Sequence, residues 1–335
     1  MPITPLGAQK TEAMALVKEL LAFTRYQQWH YGKIPLLLTL LFTLHLQTPQ
    51  LLTVAVTIRW YMILSLFLAL AYMLNNLSDF EVDSQVGKAL ALRTWPTQAR
   101  WGVTLGTGMA GFFLGRVFLN GWALIALGHC YFLAWIYSFP PRFKENVWLG
   151  PLIAAIGQLV APALVLLVAY RQVTATELCY LALLLLWGLR MILVHQILDR
   201  VNDAAAGVST TVVVIGLERA HRLLWVFFSG EVVLVSLQIV LLLRSGLHWV
   251  TLVFLLFELA SFLAMKRRGG GLRLDTYDYI PLVDVYEMIL PLMLAVSLTI
   301  YSGGKLWWSV LLIVLLFGRR YLERFATTYF SLAEA

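Results

Sequence analysis

Long apolar runs separated by short polar connectors dominate the hydropathy pattern of this chain. Each run approaches the roughly 20 apolar residues that a helix needs to cross a bilayer. We therefore predict ten membrane spans, the first and last of them short, near residues 34–46, 51–74, 101–118, 121–138, 147–169, 177–197, 223–243, 248–265, 284–301 and 305–318. The pattern indicates an all-α fold, a polytopic transmembrane bundle of nine or ten helices.

The connectors alternate in character along the chain. Five of them are short and poor in charge, whereas the others are longer and rich in Lys and Arg. The positive-inside rule then places both termini and all the long loops in the cytoplasm, and we expect a bacterial inner membrane. The predicted organisation is a cytoplasmic amphipathic segment at 1–33, a transmembrane domain at 34–318 and a cytoplasmic tail at 319–335.

Composition narrows the possible functions. Of the 335 residues, 60% are hydrophobic and 13% charged, whereas a soluble domain has roughly 45–50% apolar and about 25% charged residues. These values exclude a soluble enzyme, a disordered chain and a nucleic-acid-binding module, so the net charge of +7 reflects membrane topology. Cys130 and Cys179 each lie in an apolar run without a metal-ligand spacing, so we predict buried apolar side chains.

Two clusters of carboxylates stand out because acids are expensive in a membrane protein. Asp79 and Asp83 follow the second span, and Asp199 and Asp203 follow the sixth. A spacing of four residues puts each pair on one face of a helical turn, where like charges repel. Mg²⁺ removes this penalty and prefers one or two carboxylates together with substrate phosphates. We predict that the two faces hold two Mg²⁺ ions and a diphosphate. A single such pair is more often an ordinary solvated loop feature.

Other polar residues near these pairs are candidates for substrate binding. Each cation among them can instead be a positive-inside anchor, and the histidine, one turn before Asp199, can be a structural one. The candidates are Asn75, Asn76, Lys88, Arg93, Tyr137, Lys144 and His195. A further acidic pair, Asp284 and Glu287, can belong to an acceptor site or a lid, or to a solvated helix start. Arg59, inside the second apolar run, can reach the outer interface or pair within the bundle.

The motifs together resemble the UbiA superfamily of intramembrane prenyltransferases. The family pattern NDxxDxxxD is similar to the stretch from Asn75 to Asp83, and its Arg-Pro-Leu-Pro-like turn is similar to Arg93-Thr94-Trp95-Pro96. The segment YSFPPRFK at 137–144 is similar to the version in chlorophyll and homogentisate prenyltransferases. The second motif, DxxxD followed by Gly and Thr, matches Asp199, Asp203, Gly207 and Thr210 or Thr211.

The resemblance implies an enzyme that ionises an allylic diphosphate with the help of Mg²⁺. Asp79, Asp83, Asp199 and Asp203 would hold the ions, and Lys88, Arg93 and Lys144 would neutralise the diphosphate. Aromatic side chains would face the allylic cation, with Tyr72, Phe80, Tyr131, Trp135 and Tyr137 as candidates. An aromatic or quinone-type acceptor would then be prenylated.

Two departures from the family pattern bear on the site. Asn76 replaces the first aspartate of the first motif, which removes one carboxylate. Ala205 and Ser209 stand where family members often carry lysines, so the diphosphate contacts after the second motif differ.

Alternative functions remain open at this point. A membrane terpene cyclase uses no acceptor, and a phosphoribosyl-transferring relative needs a polar donor pocket. A transporter would show inverted repeats and broken helices near the middle of the membrane. A CDP-alcohol phosphotransferase requires an Asp-Gly pair, which this chain lacks.

Overall fold

The computed structural model describes residues 6–46, 48–85, 92, 94–171, 173–205, 207–244 and 285–326, with isolated positions at 248, 249, 252, 253, 255, 256, 259, 263 and 274. Within these ranges the secondary structure is helical, with no strand, as predicted. The α-helices are α1 Leu6–Phe23, α2 Tyr26–Gly32, α3 Ile34–His45, α4 Val54–Gln85, α5 Thr97–Phe118, α6 Gly121–Ser138, α7 Leu149–Ala155, α8 Ala161–Tyr170, α9 Ala175–Ala205, α10 Thr211–Ile215, α11 Leu217–Arg244, α12 Leu290–Tyr301 and α13 Trp307–Phe325.

Five of the described helical stretches are long and apolar enough to cross a membrane. They correspond to the predicted second, fourth, fifth, sixth and seventh spans, and they are Val54–Glu81, Gly121–Ser138, Leu149–Tyr170, Ala175–Ala205 and Leu217–Leu241. A shorter apolar helix, Tyr286–Tyr301, corresponds to the ninth. The eighth predicted span, 248–265, lies largely outside the described residues. Cys130 and Cys179 are buried and unbonded to each other, as predicted.

Helix α3 is short and almost completely buried. Its 12 residues span about 18 Å at 1.5 Å per residue, less than the roughly 30 Å of a hydrocarbon core. Every residue except Thr43 is buried, which is the expected condition of a helix that is apolar on all sides. A break at Lys33 separates α3 from α2. Trp29 and His30 in α2 are already buried.

Two π-helical turns interrupt the bundle, each just before a proline. Ile156–Val160 separates α7 from α8 ahead of Pro162, and Val285–Ile289 precedes α12 ahead of Pro291. A helical proline has no N–H for the carbonyl four residues earlier. For Pro291 that carbonyl belongs to Glu287, and the Tyr321 hydroxyl of α13 donates to it instead, at 2.9 Å. Helix α13 thereby provides a hydrogen-bond donor for a carbonyl that Pro291 of α12 cannot pair with.

A buried ion pair connects α9 and α11 within the bundle. Arg190 Nε lies 2.6 Å from Glu231 Oε1, and Arg190 Nη2 lies 2.8 Å from Glu231 Oε2. Both side chains are completely buried. Two parallel hydrogen bonds fix the rotation and height of one helix against the other. Asp199 lies nine residues further along α9, about 13 Å away, so this pair sets the position of the second acidic motif.

Candidate active site

The first acidic motif lies entirely on helix. Because α4 continues to Gln85, the predicted placement of Asp79 and Asp83 on successive turns is confirmed. Tyr72, Asn76, Asp79 and Asp83 follow one another at spacings of four, three and four residues, which aligns them along one stripe of α4. This stripe carries polar groups from within the membrane-spanning part of the helix to its end.

Two cations from the segment after α6 contact this stripe. Lys144 Nζ donates to both Asp79 Oδ1 and Ser78 Oγ. Arg142 Nη2 lies 3.3 Å from Asp79 Oδ1, and Arg142 also pairs with Glu145 at 2.8 Å. Arg142 has a left-handed φ of 58°, a conformation that costs a residue with a Cβ roughly 1–2 kcal/mol. Its contacts to two carboxylates offset this cost and orient the segment toward α4.

Lys144 is largely enclosed, with 11% of its side chain exposed. Burial lowers the pKa of its ammonium group below the ordinary 10.5, and the neighbouring Asp79 carboxylate only partly reverses this shift. Lys144 therefore loses its proton at a lower pH than a free lysine does.

We predict that deprotonation of Lys144 limits the activity at alkaline pH. Because only the protonated ammonium group attracts an anionic substrate, kcat/KM should begin to fall below pH 10.5. The Lys144→Arg variant should move this fall to higher pH, since a guanidinium group stays charged throughout. A pH profile of kcat/KM, which reports the free enzyme, measures the effect. Lys305→Arg, an exposed lysine near the other end of the bundle, is the control and should leave the profile unchanged.

The N-terminal helices supply two further cations on the other side of the stripe. Arg25 Nε donates to Asn76 Oδ1 at 2.8 Å, and Asn76 Nδ2 donates to the Phe23 carbonyl at 2.6 Å. Lys33 Nζ lies 2.6 Å from the Tyr72 hydroxyl. The end of α1 and the residue that precedes α2 therefore engage both ends of the Asn76 amide. Arg25 and Lys33 were absent from the sequence-based candidates, because in sequence they look like ordinary cytoplasmic anchors.

The second motif also lies on helix, since α9 extends to Ala205 and includes both Asp199 and Asp203. His195 Nε2 is 3.6 Å from Asp199 Oδ2, so the two side chains share one face, as the spacing predicted. About half of the His195 side chain is exposed, which distinguishes it from a packed core histidine. After the motif, the Thr211 hydroxyl donates to the Val147 carbonyl.

The segment after α6 connects the two motifs. Its residues Arg142 and Lys144 hold Asp79 of α4, and its Val147 accepts from Thr211 beyond α9. Gly150 allows this segment to pack closely, because a Cβ there would lie 2.9 Å from the Lys144 carbonyl oxygen. Four cations, Arg25, Lys33, Arg142 and Lys144, thus contact the α4 stripe from two directions.

The aromatic candidates differ in their surroundings. Tyr137, half-buried at the end of α6, is close enough to interact electrostatically with Asp79 and Tyr72. The Phe80 ring already carries the Arg100 guanidinium 3.5 Å from its centroid. Trp135 is 44% exposed and stacks on Phe139, so it faces outward. Tyr72 belongs to the polar stripe, and Tyr137 adjoins it.

The remaining predicted residues make few contacts within the site or lie outside the described part of the chain. Asn75 is half-buried and accepts a hydrogen bond from Ser78 through its carbonyl. Lys88, Arg93 and Asp284 lie outside the described residues. Glu287 is 8% exposed, and a Cβ at Gly32 would lie 3.4 Å from its Oε1.

The carboxylates of the two motifs suit Mg²⁺ by chemistry. Among the described residues, no group of three or more His, Cys, Asp or Glu side chains could hold a metal ion. Mg²⁺ does not require such a group, because it commonly takes one or two carboxylates and completes its shell with phosphate oxygens and water. The pairs Asp79–Asp83 and Asp199–Asp203 each fit that requirement.

Comparison with known proteins assigns the family. The model of the UbiA prenyltransferase family matches residues 34–271. No curated protein matches the chain. Among solved structures, a UbiA homolog from Archaeoglobus fulgidus bound to DMAPP and Mg²⁺ is 18% identical with a TM-score of 0.63, over 85% of this chain and 99% of that one. The same homolog bound to GPP and Mg²⁺ gives equal values, and its form bound to Cd²⁺ gives 17% and 0.60.

The fold and the site define a class of membrane protein. Its members are helical bundles with an acidic motif at the ends of two helices and a cationic segment between the two motifs. The chain belongs to the UbiA prenyltransferase family. The finer similarity of the YSFPPRFK segment to one branch of that family stays a prediction.

Proposed function

We propose that this protein is an integral-membrane prenyltransferase that transfers an isoprenoid group from an allylic diphosphate to an aromatic or quinone-type acceptor. The observation that carries the proposal is the set of four cations around the Asp79 stripe, in a member of a prenyltransferase family. Structural relatives bound to DMAPP or GPP together with Mg²⁺ support the donor class and the metal. The YSFPPRFK segment supports the acceptor class.

In this proposal the four aspartates of the two motifs would hold Mg²⁺, and the bound metal would supply neutralisation of the diphosphate leaving group. Arg25, Lys33, Arg142 and Lys144 bind and orient the diphosphate. Lys144 and Arg142 are held in place by their ion pairs with Asp79, so they are prepositioned for phosphate oxygens. Prepositioned cations stabilise charge in the transition state without a reorganisation cost.

The reaction itself breaks the bond between the allylic carbon and the diphosphate oxygen, and the bonding electrons leave with the diphosphate. The face of Tyr137 can stabilise the resulting allylic cation. The Tyr72 ring already has the Arg25 guanidinium and the Lys33 ammonium group 6.0 and 5.1 Å from its centroid. The acceptor then forms a bond to the cation and loses a proton. His195, which contacts Asp199, is the candidate to receive that proton. The cytoplasm is the proposed side for this chemistry, because the basic loops flank the same helix ends.

Two other functions use the same kind of donor site. A terpene cyclase would let the cation react with its own chain, and a phosphoribosyl transferase would use another diphosphate donor. The phosphoribosyl transferase would need a polar donor pocket, and the sequence has no added basic motif that requires one. A transporter is less favoured, because the polar motifs lie at helix ends and not at mid-membrane breaks.

We predict Mg²⁺-dependent release of diphosphate from an allylic donor. Purified protein in nanodiscs, given DMAPP or GPP with Mg²⁺, should release diphosphate only when an acceptor is present, and EDTA should abolish release until Mg²⁺ is restored. Mass spectrometry of the lipid fraction would identify the prenylated product. Release that needs no acceptor would indicate the cyclase, and release that resists EDTA would contradict the metal-dependent proposal.

A further inference from the structure

A second polar site lies at the end of α4 that is remote from the acidic motif. Arg59 is in the first turns of α4, 20 residues before Asp79, a separation of about 30 Å along the helix. This distance equals the thickness of a bilayer's hydrocarbon core. When Asp79 lies at one membrane interface, Arg59 therefore lies at the other.

Arg59 has an aromatic neighbour and no protein counter-charge. Its guanidinium carbon is 4.4 Å from the centroid of the Phe118 ring, at the end of α5. Within the part of the chain that the structure describes, no carboxylate pairs with Arg59. Two more exposed arginines, Arg116 and Arg171, stand within two residues of this site in sequence. A cation at a membrane interface that lacks a protein counter-charge attracts anionic lipid headgroups.

The arginine borders a cavity of about 190 Å³, lined also by Trp60, Phe118, Asn120 and Tyr170. This volume is well above the roughly 10–15 Å³ that one water molecule requires. Trp60 Nε1 donates to the Tyr170 hydroxyl at 3.0 Å. Among the described residues the Tyr170 hydroxyl proton has no acceptor, so it is available to a ligand. The site combines a cation, a hydroxyl donor and apolar walls.

We propose that this pocket binds the phosphate of an anionic phospholipid in the leaflet opposite the acidic motifs. The Arg59 guanidinium would pair with the phosphate oxygens, and the Tyr170 hydroxyl would donate a second hydrogen bond. The apolar walls formed by Trp60 and Phe118 would contact the glycerol and the upper acyl chains. Because α4 carries both Arg59 and Asp79, such a lipid would fix the depth of the helix in the bilayer. This inference does not depend on the proposed enzymatic reaction.

The test is a titration of the detergent-solubilised full chain with dihexanoyl phosphatidylglycerol. The midpoint of thermal unfolding is measured at each lipid concentration. The midpoint should rise with lipid concentration. The lipid Kd from this curve should increase about tenfold in Arg59→Gln, which corresponds to about 1.4 kcal/mol, because the charge-assisted hydrogen bonds to the phosphate are lost. Arg222→Gln, which removes an exposed arginine at the other end of the bundle, should leave the Kd unchanged.

Other outcomes would overturn the proposal. An equal stabilisation by inorganic phosphate would identify a simple anion site, and an equal effect of dihexanoyl phosphatidylcholine would show that lipid charge is irrelevant. An absent shift in the wild type, or an unchanged Kd in Arg59→Gln, would also contradict it. Should Arg59→Gln not fold, Tyr170→Phe keeps the ring and removes only the hydroxyl. We expect a severalfold higher Kd in that variant, and an unchanged Kd would refute the site.

Discussion

Replacing Asp79 or Asp199 by asparagine is expected to lower turnover by roughly 10²–10³-fold, the cost of removing one prepositioned electrostatic group from a transition state. Each change keeps the shape of the side chain and removes a proposed Mg²⁺ ligand. In Asp79→Asn, the Lys144 and Arg142 cations also lose their counter-charge. The measurement is kcat for diphosphate release, with membrane insertion checked by yield and by the thermal unfolding midpoint.

Glu81→Gln is the matched control for this experiment. Glu81 lies between Asp79 and Asp83 on the same helix end, but it is exposed and outside the aspartate spacing. Its replacement changes net charge by the same amount and should leave kcat within a factor of about two, as for an exposed residue away from the reacting groups. A wild-type rate in both aspartate variants would exclude the proposed metal and diphosphate site.

Breaking the buried pair between α9 and α11 should have the largest effect on stability. Arg190→Met leaves the Glu231 carboxylate buried without its bidentate partner. Removing one member of a buried pair costs about 3–5 kcal/mol, and we expect a corresponding loss in the free energy of unfolding. The measurement is the unfolding midpoint in detergent, with the Arg222→Gln variant as the control for loss of an exposed pair.

The double variant Arg190→Met/Glu231→Leu separates pairing from packing. It removes both charges and retains apolar volume, so most of the lost stability should return. If the double variant is as unstable as the single one, the pair acts through its shape rather than through its charges. Because the pair positions α9, kcat in the folded double variant also reports how strictly the Asp199 face must be aligned.

The helical class and the location of both acidic motifs could be predicted from sequence, because each rests on a local pattern. Apolar run length is enough to predict the span that became Val54–Glu81, and a spacing of four residues is enough to place Asp79 beside Asp83 on helix. The π-helical turn between α7 and α8 could not be predicted in this way. It depends on how the surrounding residues accommodate the backbone near Pro162.

The cations of the site were harder to predict because their roles depend on tertiary contacts. Lys144 was a candidate through its motif, whereas Lys33 is separated by 39 residues from the Tyr72 hydroxyl that it contacts. Arg25 and Asn76 are 51 residues apart and form one hydrogen bond. In sequence, Asn76 is the position at which the first motif loses one carboxylate. In the structure its amide connects α4 to the N-terminal helices, and its part in substrate binding stays a prediction.

The length of α4 has a consequence for how substrate concentration should be expressed. Its 32 residues extend about 47 Å, so the helix projects beyond a hydrocarbon core of roughly 30 Å. The acidic end therefore stands at the headgroup layer, where a donor's tail remains dissolved in lipid. Such a donor reaches the site by diffusing sideways in two dimensions. The relevant quantity is then its mole fraction in the membrane, and a KM given in bulk molarity would change with the amount of lipid in the assay.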